Sequence, residues 1–343
     1  ASNSISTMVT FSIFLFSRFE QIINSVTGRN EQMIREVKTA YGWSPYSKIA
    51  KDVYDKYGFV IDQLRDPFAK LKRREPLMCS AVFEEWLAIA NLYDPMQNPP
   101  KEIPPHMLLD FTMNGTAGLN KWYFNENMNT GEPRLWTKEY IDELVRKGDI
   151  SEDTTYAIEG VSVYSATAFH SIAEMSGLLI GSLTPWVEAI VLMNKAAKVL
   201  TVEYKRINSK HPQIHYIHPI KLAENWRRYH EAFDFVVSYS SIEHSGLGRF
   251  GDPLDPIGDL REMQKIQCLL KKGGLLFVGI PTGSDAIWFN ALRMYGRIRL
   301  PMMFEGFTLL NIFVGNASTP VFPNHAFYDD GFSAQPTFVL QRD

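Results

Sequence analysis

A glycine turn and a later glutamate carry the first chemical signal in this chain. The apolar run Gly177 to Ile180 ends at Gly181, and Pro185 follows with a helical pattern. A strand, a tight turn and a helix start place backbone N–H groups and the positive end of a helix dipole beside a ligand. About 20 residues further on, the run Val199 to Val202 ends in Glu203, whose carboxylate could accept hydrogen bonds from ribose hydroxyls. Together they predict a site for a cofactor that contains a nucleoside.

A second group of residues could move a proton. Glu243 and His244 follow the apolar strand predicted over Phe233 to Ser238. An imidazole with an ordinary pKa near 6.5 suits a general base, and Glu243 could orient the ring or contact a substrate. Ser240 and Ser241 could contact the amino acid part of a cofactor. The alternative for His244 is a hydrogen bond within its own loop and no chemistry.

The order of these motifs resembles a known superfamily. The Gly181 turn, Glu203, the Glu243-His244 loop and then Gly273-Gly274 before another apolar strand are similar to the motifs of class I S-adenosylmethionine-dependent methyltransferases. The turn is not Gly-x-Gly-x-x-Gly, which argues against a nicotinamide-dependent oxidoreductase. A non-catalytic binding module on the same fold remains an alternative.

A narrower resemblance is carried by three longer strings. Ser240 to Asp259, Thr184 to Glu188 and Thr201 to Tyr204 are similar to the domain-of-unknown-function 268 family, which includes fucose 2-O-methyltransferases. The resemblance implies methyl transfer from S-adenosylmethionine to a sugar hydroxyl, first of all the 2-hydroxyl of fucose on a glycan, in a Golgi-type lumen. Another small-molecule or glycan hydroxyl is the alternative acceptor.

The fold that this resemblance implies assigns roles to individual residues. The predicted cofactor contacts are Gly181, Ser182, Thr184, Pro185, Trp186, Glu203, Tyr204, Ser240, Ser241 and Tyr164. The predicted catalytic residues are His244, Glu243 and Asp252, and the predicted substrate contacts are Arg249, Asp255 and Trp288.

Two groups of residues have the types, though not clearly the arrangement, of metal ligands. Asp252, Asp255 and Asp259 recur in a loop rich in Gly and Pro, where Asx-turns and a helix N-cap explain them as well as a divalent cation does. Arg249 could pair with one of these carboxylates. His211, His215 and His218 are interrupted by prolines that break any helix able to align them. We therefore predict no metal site.

Apolar runs separated by helix-length segments predict the fold from residue 151 onwards. Predicted helices cover Tyr164–Met175, Pro185–Met193, Leu222–Tyr229 and Ile257–Leu270, and predicted strands cover Leu178–Ile180, Lys198–Val202, Ile214–Ile217, Phe233–Ser238 and Leu275–Ile280. This alternation indicates a doubly wound, mostly parallel α/β sheet over residues 151–343. Residues 1–150 are predicted to form a helical, loop-rich extension that either supports a homodimer or binds the acceptor.

Composition limits the partners and bears on location. A formal net charge of -3 provides no basic surplus for nucleic acid, and two cysteines exclude both a disulfide-dense scaffold and a four-cysteine zinc site. The acceptor triplets at Asn114 and Asn316 fit a secretory-pathway protein. The apolar run Met8 to Phe16 spans about half of the ~20 residues that cross a membrane. We expect it to be a buried or self-associating segment, with a region next to a membrane anchor as the alternative.

Overall fold

A computed structural model describes residues 35–92, 99–126, 132–148 and 156–343. The first described part contains β1 (Glu36–Thr39), β2 (Gly42–Pro45), α1 (Tyr46–Ile49), β3 (Phe59–Gln63), β4 (Lys70–Arg73), α2 (Cys79–Leu92), α3 (Leu108–Phe111), β5 (Gly118–Trp122), β6 (Arg134–Trp136) and α4 (Lys138–Lys147). The predicted run Met8 to Phe16 and the predicted boundary near residue 150 lie outside the described residues.

The second part contains the predicted alternation of strands and helices. Its elements are α5 (Val161–Phe169), β7 (Ser176–Ile180), α6 (Trp186–Met193), β8 (Lys198–Val202), β9 (Ile207–Ser209), β10 (Ile214–Ile217), α7 (Pro219–Glu224), α8 (Trp226–Tyr229), β11 (Phe233–Tyr239), α9 (Gly258–Leu269), β12 (Leu270–Gly279), β13 (Ala286–Asn290), β14 (Leu292–Met294), α10 (Arg299–Met303), β15 (Phe307–Phe313), α11 (Ala326–Asp329) and β16 (Thr337–Arg342).

The main sheet has seven strands in the order β10-β8-β7-β11-β12-β16-β15. The first five are parallel to one another, and β16 runs antiparallel to both of its neighbours. The predicted doubly wound, mostly parallel α/β fold is confirmed. Since β7 lies between β8 and β11 in this order, chain segments leaving these three parallel strands emerge side by side at one edge of the sheet.

Burial on both faces explains why the central strands read as apolar runs. In β11, Phe235, Val236 and Val237 are all buried, the first and third on one side of the sheet and the second on the other. A parallel strand covered by helices on both faces needs apolar residues at consecutive positions rather than at alternate ones. The run Phe233 to Tyr239 meets this requirement, so its strand was predictable from sequence.

Residues 36–73 contain four short strands that the predicted helical, loop-rich extension did not include. Strands β1 and β2 pair as a hairpin, and β3 pairs with β4. These strands have four or five residues each, and their burial patterns do not alternate regularly. Strands this short leave no period-two pattern that can be distinguished from a loop.

Strand pairing and one disulfide join the first part of the chain to the second. β5 pairs in parallel with β13 in a three-stranded sheet completed by β14, and β6 pairs with β9. Cys79 at the start of α2 is bonded to Cys268 near the end of α9, with their Cα atoms 5.7 Å apart. Both cysteines of the chain are therefore used in this one disulfide. The described residues 35–148 are connected to the main sheet at several points.

The disulfide closes a sequence separation of 189 residues, so its removal is expected to destabilise the fold. Replacing both cysteines by serine should lower the free energy of unfolding by about 2–5 kcal/mol, because the unfolded chain regains the freedom that the cross-link removes. Urea unfolding of the double variant would measure the loss. Wild-type protein unfolded under reducing conditions is the matched control and should unfold at a similar urea concentration. Equal stability of the variant and the oxidised protein would contradict this expectation.

Across the described ranges, no helix combines the length and apolar character needed to span a membrane.

Candidate active site

A cavity of about 940 Å³ opens at the edge of the sheet where β7, β8 and β11 end. Most of the predicted site residues line it. From the cofactor set these are Gly181, Ser182, Thr184, Trp186, Glu203, Tyr204, Ser240 and Ser241, and from the catalytic and substrate sets they are Glu243, His244, Asp252, Arg249, Asp255 and Trp288. Fourteen of the sixteen predicted residues thus surround one space, although they come from segments more than 100 residues apart.

Pro185 and Tyr164 are the two predicted residues that do not line the cavity. Pro185 directly precedes α6, and its neighbours Thr184 and Trp186 line the cavity. Tyr164 lies on α5 and packs with the apolar cluster behind the sheet. Tyr156, which precedes α5, lines the cavity in place of the predicted Tyr164. Its ring centroid lies 5.2 Å from that of Tyr239. Sequence reasoning missed Tyr156, which directly follows residues that the structure leaves undescribed.

A glycine is required at position 181 because the side chain of Ser241 lies very close to its backbone. Its φ angle is +76°, and a Cβ atom at this position would lie 2.0 Å from Oγ of Ser241. No other residue could adopt this backbone conformation without moving the loop that follows β11. The turn after β7 therefore lies directly against the loop that carries Glu243 and His244.

Glu203 lies at the end of β8 with both carboxylate oxygens engaged. Oε2 accepts a hydrogen bond of 2.9 Å from the backbone N–H of Ser182, and Oε1 accepts bonds from the N–H groups of Tyr204 and Lys205. A carboxylate has about four acceptor positions. One acceptor position of Glu203 therefore remains for a ligand hydroxyl in the cavity.

Glu188 is a buried carboxylate that sequence reasoning left without a role. Its oxygens accept hydrogen bonds from the hydroxyls of Ser182, at 2.7 Å, and Thr201, at 2.8 Å. Burial raises its pKa to about 7, against the stabilising effect of the two hydroxyls. Glu188 does not line the cavity, so it supports the turn after β7 and the strand β8 from behind. A lone acid in the otherwise apolar α6 was the available signal.

The ring of His244 is held in one tautomer. Its Nδ1 lies 2.6 Å from the backbone carbonyl oxygen of Ala291. A carbonyl oxygen only accepts hydrogen bonds, so Nδ1 carries the proton and Nε2 has a free lone pair. Burial, and next the positive charge of Arg249, lower the pKa of His244 to about 3. The imidazole is therefore neutral at physiological pH and its Nε2 can accept a proton from a ligand.

Glu243 stands beside that nitrogen. Its Oε1 is 3.7 Å from Nε2 of His244 and accepts a hydrogen bond of 2.7 Å from the Ser240 hydroxyl. Its Oε2 is buried and accepts no hydrogen bond from the described residues. Burial raises the pKa of Glu243 to about 7, with the Ser240 hydroxyl opposing the shift. A buried acceptor without a protein donor, on a residue that lines the cavity, fits a ligand group that donates a hydrogen bond.

Arg249 pairs with a carboxylate other than those predicted. Its Nε donates to Oε2 of Glu126 at 3.0 Å, and its guanidinium carbon lies 4.2 Å from the ring centroid of Phe124 and 4.8 Å from that of Phe250. Nη1 of Arg249 also donates to the Ala291 carbonyl, the oxygen that binds His244. Of the two partners considered for Arg249, a loop aspartate or a substrate, the carboxylate partner is Glu126 instead of a loop aspartate, and the substrate contact stays a prediction.

Each of the three loop aspartates is engaged by donors of the protein. Asp252 accepts hydrogen bonds from the backbone N–H groups of Gly246, Gly248 and Phe250. Asp255 accepts one from the N–H of Ile257, as an Asx-turn does, and one from Arg261. Asp259 binds Arg299 through both oxygens. Within the described ranges, no group of three or more His, Cys, Asp or Glu side chains is arranged to hold a metal ion. The catalytic role of Asp252 and the substrate role of Asp255 stay predictions.

The three histidines whose residue type suggested metal ligands have different partners. His211 lies 3.4 Å from a carboxylate oxygen of Asp142, and Nδ1 of His218 accepts the N–H of Ile220 at the start of α7. His215 lies within β10. The three imidazoles therefore have different surroundings.

The sequence of this site matches a known family model. Residues 174–342 match the model described as "Caenorhabditis protein of unknown function, DUF268". This part of the chain is a DUF268 domain. The resemblance predicted from residues 184–259 is thereby confirmed.

The DUF268 domain supplies most of the cavity wall but not all of it. Glu203, Glu243 and His244 belong to it, whereas Trp86, Trp122 and other cavity residues precede residue 174. The described residues before the DUF268 domain therefore take part in forming the site.

Comparisons with other proteins add distant likenesses. None of the curated proteins matches the chain. A solved structure of the Burkholderia thailandensis 1,6-didemethyltoxoflavin-N1-methyltransferase, with S-adenosylhomocysteine bound, is 11% identical with a TM-score of 0.37, over 60% of this chain and 85% of that one. The arsenic(III) S-adenosylmethionine methyltransferase of Chlamydomonas reinhardtii is 14% identical with a TM-score of 0.25, over 33% and 40% of the two chains. The present chain spans 65% of a solved protein from Streptococcus thermophilus and 49% of one from Streptococcus mutans.

Proposed function

We propose that the chain is an S-adenosylmethionine-dependent O-methyltransferase that acts on a sugar hydroxyl. The observation that carries the proposal is the neutral His244, whose Nε2 lone pair is available at a cavity that also contains an acceptor position of Glu203. A proton acceptor in the same cavity as a ribose-binding carboxylate is an arrangement that suits methylation of a hydroxyl.

The cavity residues fit the charge of the cofactor. S-adenosylmethionine carries a sulfonium, an ammonium and two ribose hydroxyls, all of which favour negative or accepting partners. Glu203 and Glu243 line the cavity with buried carboxylates, and Oε2 of Glu243 has no donor among the described residues. Arg249 lines it too, but its charge is balanced by Glu126.

The protein's part in the reaction is positioning and proton transfer. When bound, the cofactor supplies a methyl group on a positively charged sulfur. Transfer of this methyl group to the acceptor oxygen would break the carbon–sulfur bond and leave its electron pair on sulfur. His244 Nε2 takes the hydroxyl proton, and the Glu243 carboxylate stabilises the imidazolium that results.

The raised pKa of Glu243 predicts a pH dependence of the reaction. Below about pH 7 its carboxyl is protonated and no longer stabilises the imidazolium, so kcat/KM should fall as the pH falls through about 7. The Glu243→Gln variant should lose this dependence and run at a lower, flat rate.

Glu188 provides the matched control for this pH profile. It is equally buried and has the same pKa of about 7, but it does not line the cavity. Glu188→Gln should therefore keep the fall near pH 7. A profile of Glu243→Gln that still falls near pH 7 would assign the titration to another group.

Exposed aromatic rings at the cavity support a sugar acceptor. Trp122 and Trp288 line the cavity with exposures of 53% and 36%, and their ring centroids lie 6.4 Å apart in an edge-to-face arrangement. Exposed tryptophan faces suit the apolar C–H surface of a pyranose, and a polar tip remains for hydrogen bonding. Since Trp122 lies in β5, the first part of the chain is assigned the acceptor-binding role rather than dimerisation alone.

Two features support a secretory compartment, proposed to be the Golgi lumen. The Cys79–Cys268 disulfide is of a kind that persists in oxidising environments. Asn114 and Asn316 of the two acceptor triplets are both exposed, as glycosylation requires.

Incubation with methyl-labelled S-adenosylmethionine and a panel of fucosylated and matched non-fucosylated glycans tests the whole proposal. We expect label on the fucosylated members, located on the 2-hydroxyl of fucose by fragmentation. Label on a different hydroxyl would support the methyltransferase activity but contradict fucose 2-hydroxyl as the acceptor. Absence of S-adenosylhomocysteine binding in a calorimetric titration would contradict the methyltransferase proposal and favour the alternative of a non-catalytic binding module.

A further inference from the structure

The order of strands arranges the parts of the cavity in a line. His244 follows β11, Gly181 follows β7, Glu203 follows β8, and α7 follows β10, and these strands are neighbours in the sheet in that order. Neighbouring strands lie about 4.8 Å apart. An elongated ligand with its methyl group beside His244 and its ribose on Glu203 must therefore direct its base towards α7.

That end of the cavity is walled by apolar side chains of the main core. Leu222 and Ala223 of α7 line it, as do Phe83 and Trp86 of α2. All four are at most 6% exposed and belong to a single hydrophobic cluster. A wall that contains apolar side chains and aromatic rings suits a purine ring, which buries its faces against such surfaces.

The aromatic residues of this wall are held firmly. Phe83 stacks on Trp226 with centroids 5.3 Å apart and an interplanar angle of 8°. The Lys265 ammonium lies 4.0 Å from the centroid of the Trp86 ring. The disulfide to Cys268 joins α2 to α9 near the same place. The wall is therefore a formed part of the fold.

We propose that Phe83 and Trp86 bind the adenine of the cofactor, so that the DUF268 domain takes its base-binding wall from the helix Cys79–Leu92, which precedes it in the chain. This inference rests on the proposed function, since it concerns the same cofactor. It adds that residues 174–342 by themselves lack Phe83 and Trp86 of this base-binding wall.

Calorimetric titration with S-adenosylhomocysteine tests the inference without any acceptor. The Trp86→Leu variant should bind about 10- to 100-fold more weakly than wild type, because stacking of a base on an aromatic ring is lost. Trp136→Leu is the matched control, since Trp136 is 3% exposed, close to the 4% of Trp86, and does not line the cavity. The control should bind within about threefold of wild type.

A thermal melt of each variant shows whether it is folded before the titration. If Trp86→Leu does not melt cooperatively, Trp86→Phe replaces it, and about 3- to 10-fold weaker binding is expected because a smaller ring remains. Binding by the folded Trp86 variant equal to that of wild type would overturn this inference alone. Failure of wild type to bind S-adenosylhomocysteine would overturn the proposed function and the inference together.

Discussion

Replacing His244 by alanine is expected to lower kcat about 100-fold or more while S-adenosylhomocysteine affinity stays within a few-fold of wild type. The size is that of a lost general base. Cofactor affinity is retained because the ribose contact is assigned to Glu203, on a different strand end. Steady-state kinetics and calorimetric titration on the same preparation would separate the two effects.

His106→Ala is a suitable control for the general effect of removing an imidazole, because His106 is exposed and does not line the cavity. It should leave kcat unchanged. Near-normal turnover of His244→Ala would transfer the role of base to Asp252 or Asp255, the other buried acids of the same loop.

Replacing Asp259 by alanine is expected to destabilise the fold by about 3–5 kcal/mol, the cost of breaking a buried ion pair. Asp259 is fully buried and accepts two hydrogen bonds from Arg299, at 2.5 and 2.7 Å, and one from Tyr295. Burial would raise its pKa, but the charges of Arg293 and Arg299 outweigh it and hold the pKa at about 2. Without the carboxylate, two buried guanidiniums remain near each other. Urea unfolding would measure the loss.

The same variant should also loosen the loop that carries the proposed base. Arg293 donates to the backbone carbonyls of Ser245, at 2.5 Å, and Asp255, at 3.1 Å. The exposed pair of Lys138 and Asp142 provides the comparison, since Asp142→Ala should leave the stability close to that of wild type. A similar small cost for Asp259→Ala would show that the buried network relaxes or takes up water.

The main sheet was predictable because its signals are local. The predicted strands over Lys198–Val202 and Ile214–Ile217 agree with the structure, and the predicted helix over Ile257–Leu270 differs by one residue at each end. A buried parallel strand needs consecutive apolar residues, and each such run was bounded by a turn or a helix. The convergence of Gly181, Glu203 and His244 was expected from the fold that the family resemblance implies.

The features of the fold and site that the sequence did not predict depend on contacts between segments distant in sequence. The pairing of β5 with β13 and the Arg249–Glu126 ion pair join residues more than 100 positions apart. No local sequence pattern specifies such distant partners. The only carboxylate partners that the sequence suggested for Arg249 were therefore the aspartates of its own loop. Tyr164 was predicted at the cavity because its helix precedes β7, whereas the direction of its side chain depends on packing against the cluster behind the sheet.

Under the proposed function, one backbone oxygen bears on how the protein could change its acceptor. The Ala291 carbonyl receives both the His244 ring and the Arg249 guanidinium, and Arg249 lies against Phe124 at the acceptor side. The neighbouring Asn290 amide binds the backbone of Phe124 through both of its polar atoms. Under the proposed function, a substitution that reshapes the acceptor side also disturbs the tautomer of the base. New acceptor preferences would then arise together with changes in turnover. Few substitutions could therefore change the acceptor specificity without also lowering the rate of methyl transfer.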